Sequence, residues 1–148
     1  MGRLSETVKI GGGEVIGVIP KALLAREVGR LDLVELRVVR SMHERKAMMV
    51  ELSDGFIALP GGFGTFEEFC EIVTWAQLGL HAKPVGLLNV ESYFDPLIEQ
   101  FNRAVAEDFA YPENRNLVLH ETDPERLLDL MEQYKPPRVE QWIDSDEA

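Results

Sequence analysis

The chain has 148 residues, 45% apolar and 28% charged, a composition that suits one soluble globular domain and excludes a disordered polypeptide. With 15 Lys and Arg against 26 Asp and Glu the formal net charge is −11, which argues against a basic face for nucleic acid or an anionic membrane, so any anionic ligand must be held by a few local cations. The single cysteine, Cys70, excludes an intramolecular disulfide and a cysteine-cluster metal site, and no apolar run approaches the ~18 residues of a membrane span.

Residues 1–9 lack the apolar core of a signal peptide, and the cytoplasm is the expected compartment. Strand-like and helix-like stretches then alternate along the chain. Residues 14–20 (EVIGVIP) form an apolar run entered from Gly11, Gly12 and Gly13 and closed by Pro20, which reads as a buried strand of a parallel sheet. Residues 33–39 (LVELRVV) are a second, less regular strand, and 41–52 follow with helical spacing. Residues 55–60 (GFIALP) run into the turn Gly61, Gly62, Phe63, Gly64, after which 65–78 are helical, with Phe66, Phe69, Cys70 and Val73 at the spacing of one buried face. A third clear strand spans 84–89 (PVGLLN) and a third helix 93–107, with Phe94, Leu97, Ile98, Phe101 and Val105 on one side. A short strand is expected at 117–120 and a last helix at 124–134, with Leu127, Leu128 and Met131 apolar, ended by Pro136 and Pro137. Alternation of helices with fully apolar strands predicts an α/β domain built on a parallel sheet with flanking helices, over residues 1–138, followed by an acidic tail at 139–148. In such sheets ligands bind beyond the carboxyl ends of the strands.

Two helix starts carry chemistry. A strand that runs into Gly61, Gly62 and Gly64 and then a helix exposes backbone N–H groups at a helix N-terminus, a ready site for a phosphate. The same residues have a purely structural reading, because Thr65 and Glu68 fit a capping box. The other start, Ser41-Met42-His43-Glu44-Arg45-Lys46, is again a capping-box pattern, and it places two cations where each opposes the helix dipole by ~0.3–1 kcal/mol. Arg45 shares a partly apolar face with Met42, Met48 and Met49, so its guanidinium requires an anionic partner: an internal carboxylate or a ligand phosphate. Other positions carry less. Glu27 has no local partner and reads as a loop acid, and Thr74 can bond its own helix backbone. His43, His81 and His120 have no metal-ligand spacing, so no metal site is expected, and Cys70 reads as core.

The segment 41–46 (SMHERK), followed by 60–68 (PGGFGTFEE) and 74–79 (TWAQLG), resembles the LOG (Lonely Guy) family of cytokinin riboside 5′-monophosphate phosphoribohydrolases, often labelled lysine decarboxylases. The strand 83–89 (KPVGLLN) and Pro136-Pro137-Arg138 fit the resemblance, which covers nearly the whole chain. It implies a Rossmann-like sheet and hydrolysis of the N-glycosidic bond of a nucleoside 5′-monophosphate, giving free base and ribose 5-phosphate with no cofactor. By position it implies Arg45 and Glu68 as the catalytic pair, and Glu27, Arg45, Lys46, Gly61, Gly62, Phe63, Gly64, Thr65, Glu67, Glu68 and Thr74 as substrate-binding residues. It also implies a homodimer or larger homo-oligomer. A lysine decarboxylase would need pyridoxal phosphate on a Schiff-base lysine, and no lysine has a context that identifies it as one. Family members typically carry a further strand, helix and strand ahead of this sequence, so an N-terminally incomplete domain is expected. The other readings are a non-catalytic nucleotide or cofactor carrier on the same fold, and an inactive fragment.

Overall fold

The computed structural model describes residues 2–24 and 35–137. They form two compact units, one within Met1–Ser53 and one within Asp54–Ala148, each built of parallel strands flanked by helices. The fold is thus α/β and Rossmann-like in its parts, as the alternation implies. Among the described residues no helix is long and apolar enough to cross a membrane.

In the first unit, helix α1 (Gly2–Ile10) leads to strand β1 (Ile16–Pro20), the short helix α2 (Lys21–Leu24), strand β2 (Glu35–Val39) and helix α3 (Met42–Leu52). The three glycines end α1. Gly12 takes a left-handed φ of 81°, its amide donates to the Lys9 carbonyl at 3.0 Å, and the Gly13 amide donates to the Val8 carbonyl at 2.9 Å. These two bonds satisfy the last carbonyls of the helix in a Schellman turn, which needs a residue without a Cβ penalty at Gly12. Strands β1 and β2 pair in parallel from Ile16 opposite Glu35 to Pro20 opposite Val39. Ile19 and Val39 are buried. The predicted cap of α3 forms: the Ser41 hydroxyl accepts from the Glu44 amide at 3.1 Å, while the Glu44 carboxylate reaches one residue further back than the usual box and accepts from the Arg40 amide at 2.7 Å.

The second unit runs β3 (Phe56–Ala58), α4 (Phe63–Gln77), β4 (Val85–Leu88), a 3₁₀ turn (Val90–Ser92), α5 (Asp95–Ala106), α6 (Pro112–Arg115), β5 (Val118–Glu121) and α7 (Pro124–Glu132). Its sheet is parallel in the order β3-β4-β5, with Val85 opposite both Phe56 and Val118. Central strand β4 is the most deeply buried, with Val85 1% and Leu87 0% exposed, as an apolar strand covered on both faces requires. Helix α7 crosses it so closely that a Cβ on Gly86 would lie 3.0 Å from Cδ1 of Leu127. Gly86 is therefore a packing residue.

The buried face of α4 differs from the predicted one. Phe69, Ile72 and Ala76 are buried, Phe66 and Val73 are half-buried, and Cys70 is exposed. The face is set by Phe69, which stacks on Phe101 of α5 at 6.3 Å, and by Phe66, which meets Phe94 edge-on at 6.4 Å. In α7 only Leu127 of the three predicted apolar residues is buried, and Leu128 is exposed.

His81 locks the turn between α4 and β4. Its Nε2 lies 2.9 Å from the Ile72 carbonyl and its Nδ1 accepts from the Lys83 amide at 3.2 Å, so the ring is neutral with its proton on Nε2. Burial pushes its pKa below the ordinary value of 6.5; the Ile72 carbonyl works against this and Lys83 adds to it. The unfolded chain therefore takes up a proton near pH 6.5 that the folded chain refuses, and the stabilisation from the neutral ring, complete above that pH, is lost as the pH falls. We expect His81→Gln to destabilise the protein by about 1–2 kcal/mol at pH 7.5, and thermal unfolding at pH 5.5 to give a smaller gap between variant and wild type.

Candidate active site

Strand β3 ends at Ala58, and the chain turns through Leu59, Pro60, Gly61 and Gly62 into α4. Gly62 is the N-cap, in extended backbone (φ −96°, ψ −153°) with no side chain to cap the helix. Its carbonyl accepts from the amides of Thr65 at 3.0 Å and Phe66 at 3.2 Å. The amides of Phe63 and Gly64, first in the helix, have no carbonyl within the helix to bond. They stand at the positive end of the α4 dipole, where an anion is stabilised. Phe63 is 92% exposed at the head of the helix.

This geometry overturns the capping-box reading of Thr65 and Glu68. Thr65 is the third residue of α4 and its amide is already bonded to Gly62, because the two glycines let the helix begin earlier than the first polar cap. The Thr65 side chain folds back onto Gly61 instead, into the space that a Cβ at Gly61 would occupy. Glu68 is half-buried in the second turn of α4, three residues beyond the place of a capping-box glutamate. Glu67 is exposed beside it. Thr74 lies two turns further along the same helix, where its hydroxyl donates to the Cys70 carbonyl at 2.7 Å and keeps its lone pairs as acceptors.

Cys70 lines an apolar cleft of about 220 Å³ together with Val73, Thr74, Phe101 and Val105. It is exposed there, not in the core as its helical spacing implies. Partial burial pushes its thiol above the ordinary range, which disfavours the thiolate a nucleophile would need.

In the first unit, Arg45 and Lys46 are half-buried on α3. The Arg45 Nε donates to the Val18 carbonyl of β1 at 3.2 Å, which fixes one edge of the guanidinium to the strand. Glu27, the remaining substrate-binding expectation, lies outside the described residues, as does the tail at 139–148.

Two residues of the second unit escape sequence reasoning. Asn89, at the carboxyl end of β4, is 5% exposed; its side chain accepts from the Phe94 amide and donates to the Asp95 carboxylate, both at 2.7 Å. Tyr93 donates its hydroxyl to the Gly61 carbonyl at 2.6 Å. An asparagine directly after an apolar strand is a turn signal that could have marked the first. The second depends on a contact 32 residues apart in sequence and has no local signature.

The profile of the family described as "possible lysine decarboxylase" matches residues 1–131, and the chain belongs to that family. It is 52% identical over 136 residues, 92% of its own length, to the rice (Oryza sativa subsp. japonica) protein named probable cytokinin riboside 5′-monophosphate phosphoribohydrolase LOGL9. It is 48% identical, again over 92% of its length, to the Arabidopsis thaliana cytokinin riboside 5′-monophosphate phosphoribohydrolase LOG1 and to the rice enzyme LOG. The resemblance read from the paired motifs is thus matched along the chain. The chain spans 60%, 64% and 56% of the length of these three relatives.

Gly61→Ala should drive its new methyl into Thr65 and destabilise the protein by about 1–3 kcal/mol, the usual cost of overpacking. In a Thr65→Ala background the loss should be smaller. A double-mutant cycle by urea unfolding checks the coupling.

Proposed function

We propose that the protein hydrolyses the N-glycosidic bond of a nucleoside 5′-monophosphate, an N6-modified adenosine 5′-monophosphate by preference, releasing the free base and ribose 5-phosphate. The observation that supports this most is the start of α4: the helix is capped by Gly62 without any side chain, which leaves the amides at its positive end open to an anion. The names borne by the relatives point to the same reaction.

In this reading the amides of Phe63 and Gly64 hold the 5′-phosphate, and the family resemblance assigns Arg45 and Lys46 to the substrate. As the bond from ribose C1′ to the base nitrogen breaks, positive charge develops on the sugar. The Glu68 carboxylate stabilises that charge and orients the water that forms the new C1′–O bond, while the proton given up by the water ends on the departing base. By the family resemblance Arg45 joins Glu68 as a catalytic residue, and Gly61, Gly62, Thr65, Glu67, Thr74 and Glu27 contact the substrate. Water is the only co-reactant. A homodimer or larger homo-oligomer in the cytoplasm completes the proposal, on the strength of the family resemblance.

The family's description would suggest pyridoxal phosphate on a lysine. Lys9, Lys21 and Lys135 are exposed, and Lys83 precedes β4 at the opposite end of that strand from the Asn89 loop, so these four do not fit a buried Schiff base and no step is drawn through that group. Lys46 is assigned to the substrate.

Chromatography of reactions with AMP and with N6-isopentenyladenosine 5′-monophosphate tests the proposal. Free base should appear, faster from the modified nucleotide, and Glu68→Gln and Arg45→Ala should each slow its release by about 10²-fold or more. Full turnover by Glu68→Gln would show the mechanism to be wrong, and tight nucleotide binding without release of base would make the protein a carrier.

A further inference from the structure

The carbonyl of Gly61 and the amide of Gly62 belong to one planar trans peptide, so whatever holds the carbonyl also sets the direction of the N–H on its opposite side. The group that holds it is the Tyr93 hydroxyl, at 2.6 Å. Tyr93 comes from neither the glycine turn nor α4 but from the loop that leaves the adjacent strand, β4.

That loop has an unusual backbone. Glu91 and Ser92 both lie in the left-handed region, with φ of 49° and 61°, a conformation rare for residues other than glycine and concentrated at functional sites. Buried Asn89 over-determines it: its carbonyl accepts from the Ser92 amide at 3.3 Å and its side chain bonds Phe94 and Asp95. The Tyr93 ring stands edge-on to Phe94 at 5.1 Å, and Phe94 stands edge-on to Phe66 of α4. Tyr93 is therefore fixed at its ring and at its hydroxyl, with the strained segment just before it.

We propose that Tyr93 is a positioning residue: by holding the Gly61 carbonyl it aims the Gly62 N–H, and the start of α4 behind it, at the 5′-phosphate of the substrate. This rests on the phosphate reading of the glycine turn given under Proposed function. A contact that merely braced the fold would affect stability and would not discriminate between ligands with and without a phosphate.

Tyr93→Phe keeps the ring and removes only the hydroxyl. Its KM for the nucleoside 5′-monophosphate should rise about tenfold with kcat changed by less than about twofold, as expected when a contact shared by the bound substrate and the transition state is weakened. Inhibition by ribose 5-phosphate should weaken by a similar factor, and inhibition by the free base should not change. In wild type, the Gly62 amide resonance should shift when ribose 5-phosphate is added, a readout that does not depend on the variant's folding. The proposal is overturned, with the hydrolase reading intact, if wild type releases base but Tyr93→Phe matches its KM and its ribose 5-phosphate inhibition, if the variant loses kcat alone, if it loses base inhibition in parallel, or if the Gly62 resonance stays still. A wild-type protein that neither releases base nor binds ribose 5-phosphate overturns both readings.

Discussion

The chain leaves β3 and enters α4 within four residues, and in that passage Gly61 leaves room for Thr65, which folds back into the space a Cβ would fill. Much of the candidate site follows from this one steric constraint. With Thr65 turned toward Gly61, the cap falls to Gly62, whose extended backbone lets the helix begin at Phe63. An early start makes the amides of Phe63 and Gly64 the ones at the exposed end of the helix dipole and moves Glu68 into the second turn, away from the cap. A serine or aspartate at the cap would have given slightly more helix stability than glycine, by a few tenths of a kcal/mol. It would also have put a side-chain oxygen over the amides that glycine leaves open.

The other helix start makes the opposite choice. At α3 a full side-chain cap is present, through Ser41 and Glu44. It adds about 1 kcal/mol, comparable with the dipole cost of keeping Arg45 and Lys46 just behind it. The Glu44 carboxylate, bonded to the Arg40 amide, also places a negative charge at the first turn. The arginine is further tied to β1 through the Val18 carbonyl. Thus one helix has a side-chain cap ahead of its cations, and the other has a glycine cap that leaves its first amides without a side-chain partner.

These two starts also mark where the sequence is readable. Strands β1, β3 and β4 were recognisable because each is a short apolar run that meets proline or asparagine, and the burial of β4 is what a central parallel strand requires, whereas β2 and β5 carry charged residues and stop before Arg40 and Thr122 without such a signal. The Ser/Thr-x-x-Glu pattern occurs at both helix starts but forms a cap only at Ser41, since glycine before Thr65 removes the steric barrier that would have delayed the helix. Helix α6, only Pro112–Arg115, is too short for any periodicity to reveal. Ile72 and Ala76, rather than Cys70, complete the buried face of α4 because packing against the α5 aromatics sets the rotation of the helix. Tyr93 was invisible for a topological reason: its partner Gly61 comes from a different strand end, and the order of strands is not written in local spacing.

The His81 ring and the Tyr93 loop sit at opposite ends of the same strand. His81 and Lys83 precede β4, and Asn89 and Tyr93 follow it. Four residues of extended chain separate them, roughly 13 Å at 3.3 Å per residue. A ligand at the carboxyl end of the sheet, the usual place in parallel α/β folds, is therefore far enough from the His81 ring that its protonation acts through the stability of the unit and not through the local field, which is further screened at physiological salt. The glycine turn from β3 and the Tyr93 loop from β4 converge at that same carboxyl end because neighbouring parallel strands must both terminate there. Parallel pairing thus supplies the convergence, and the Tyr93 to Gly61 hydrogen bond fixes its register to a single peptide.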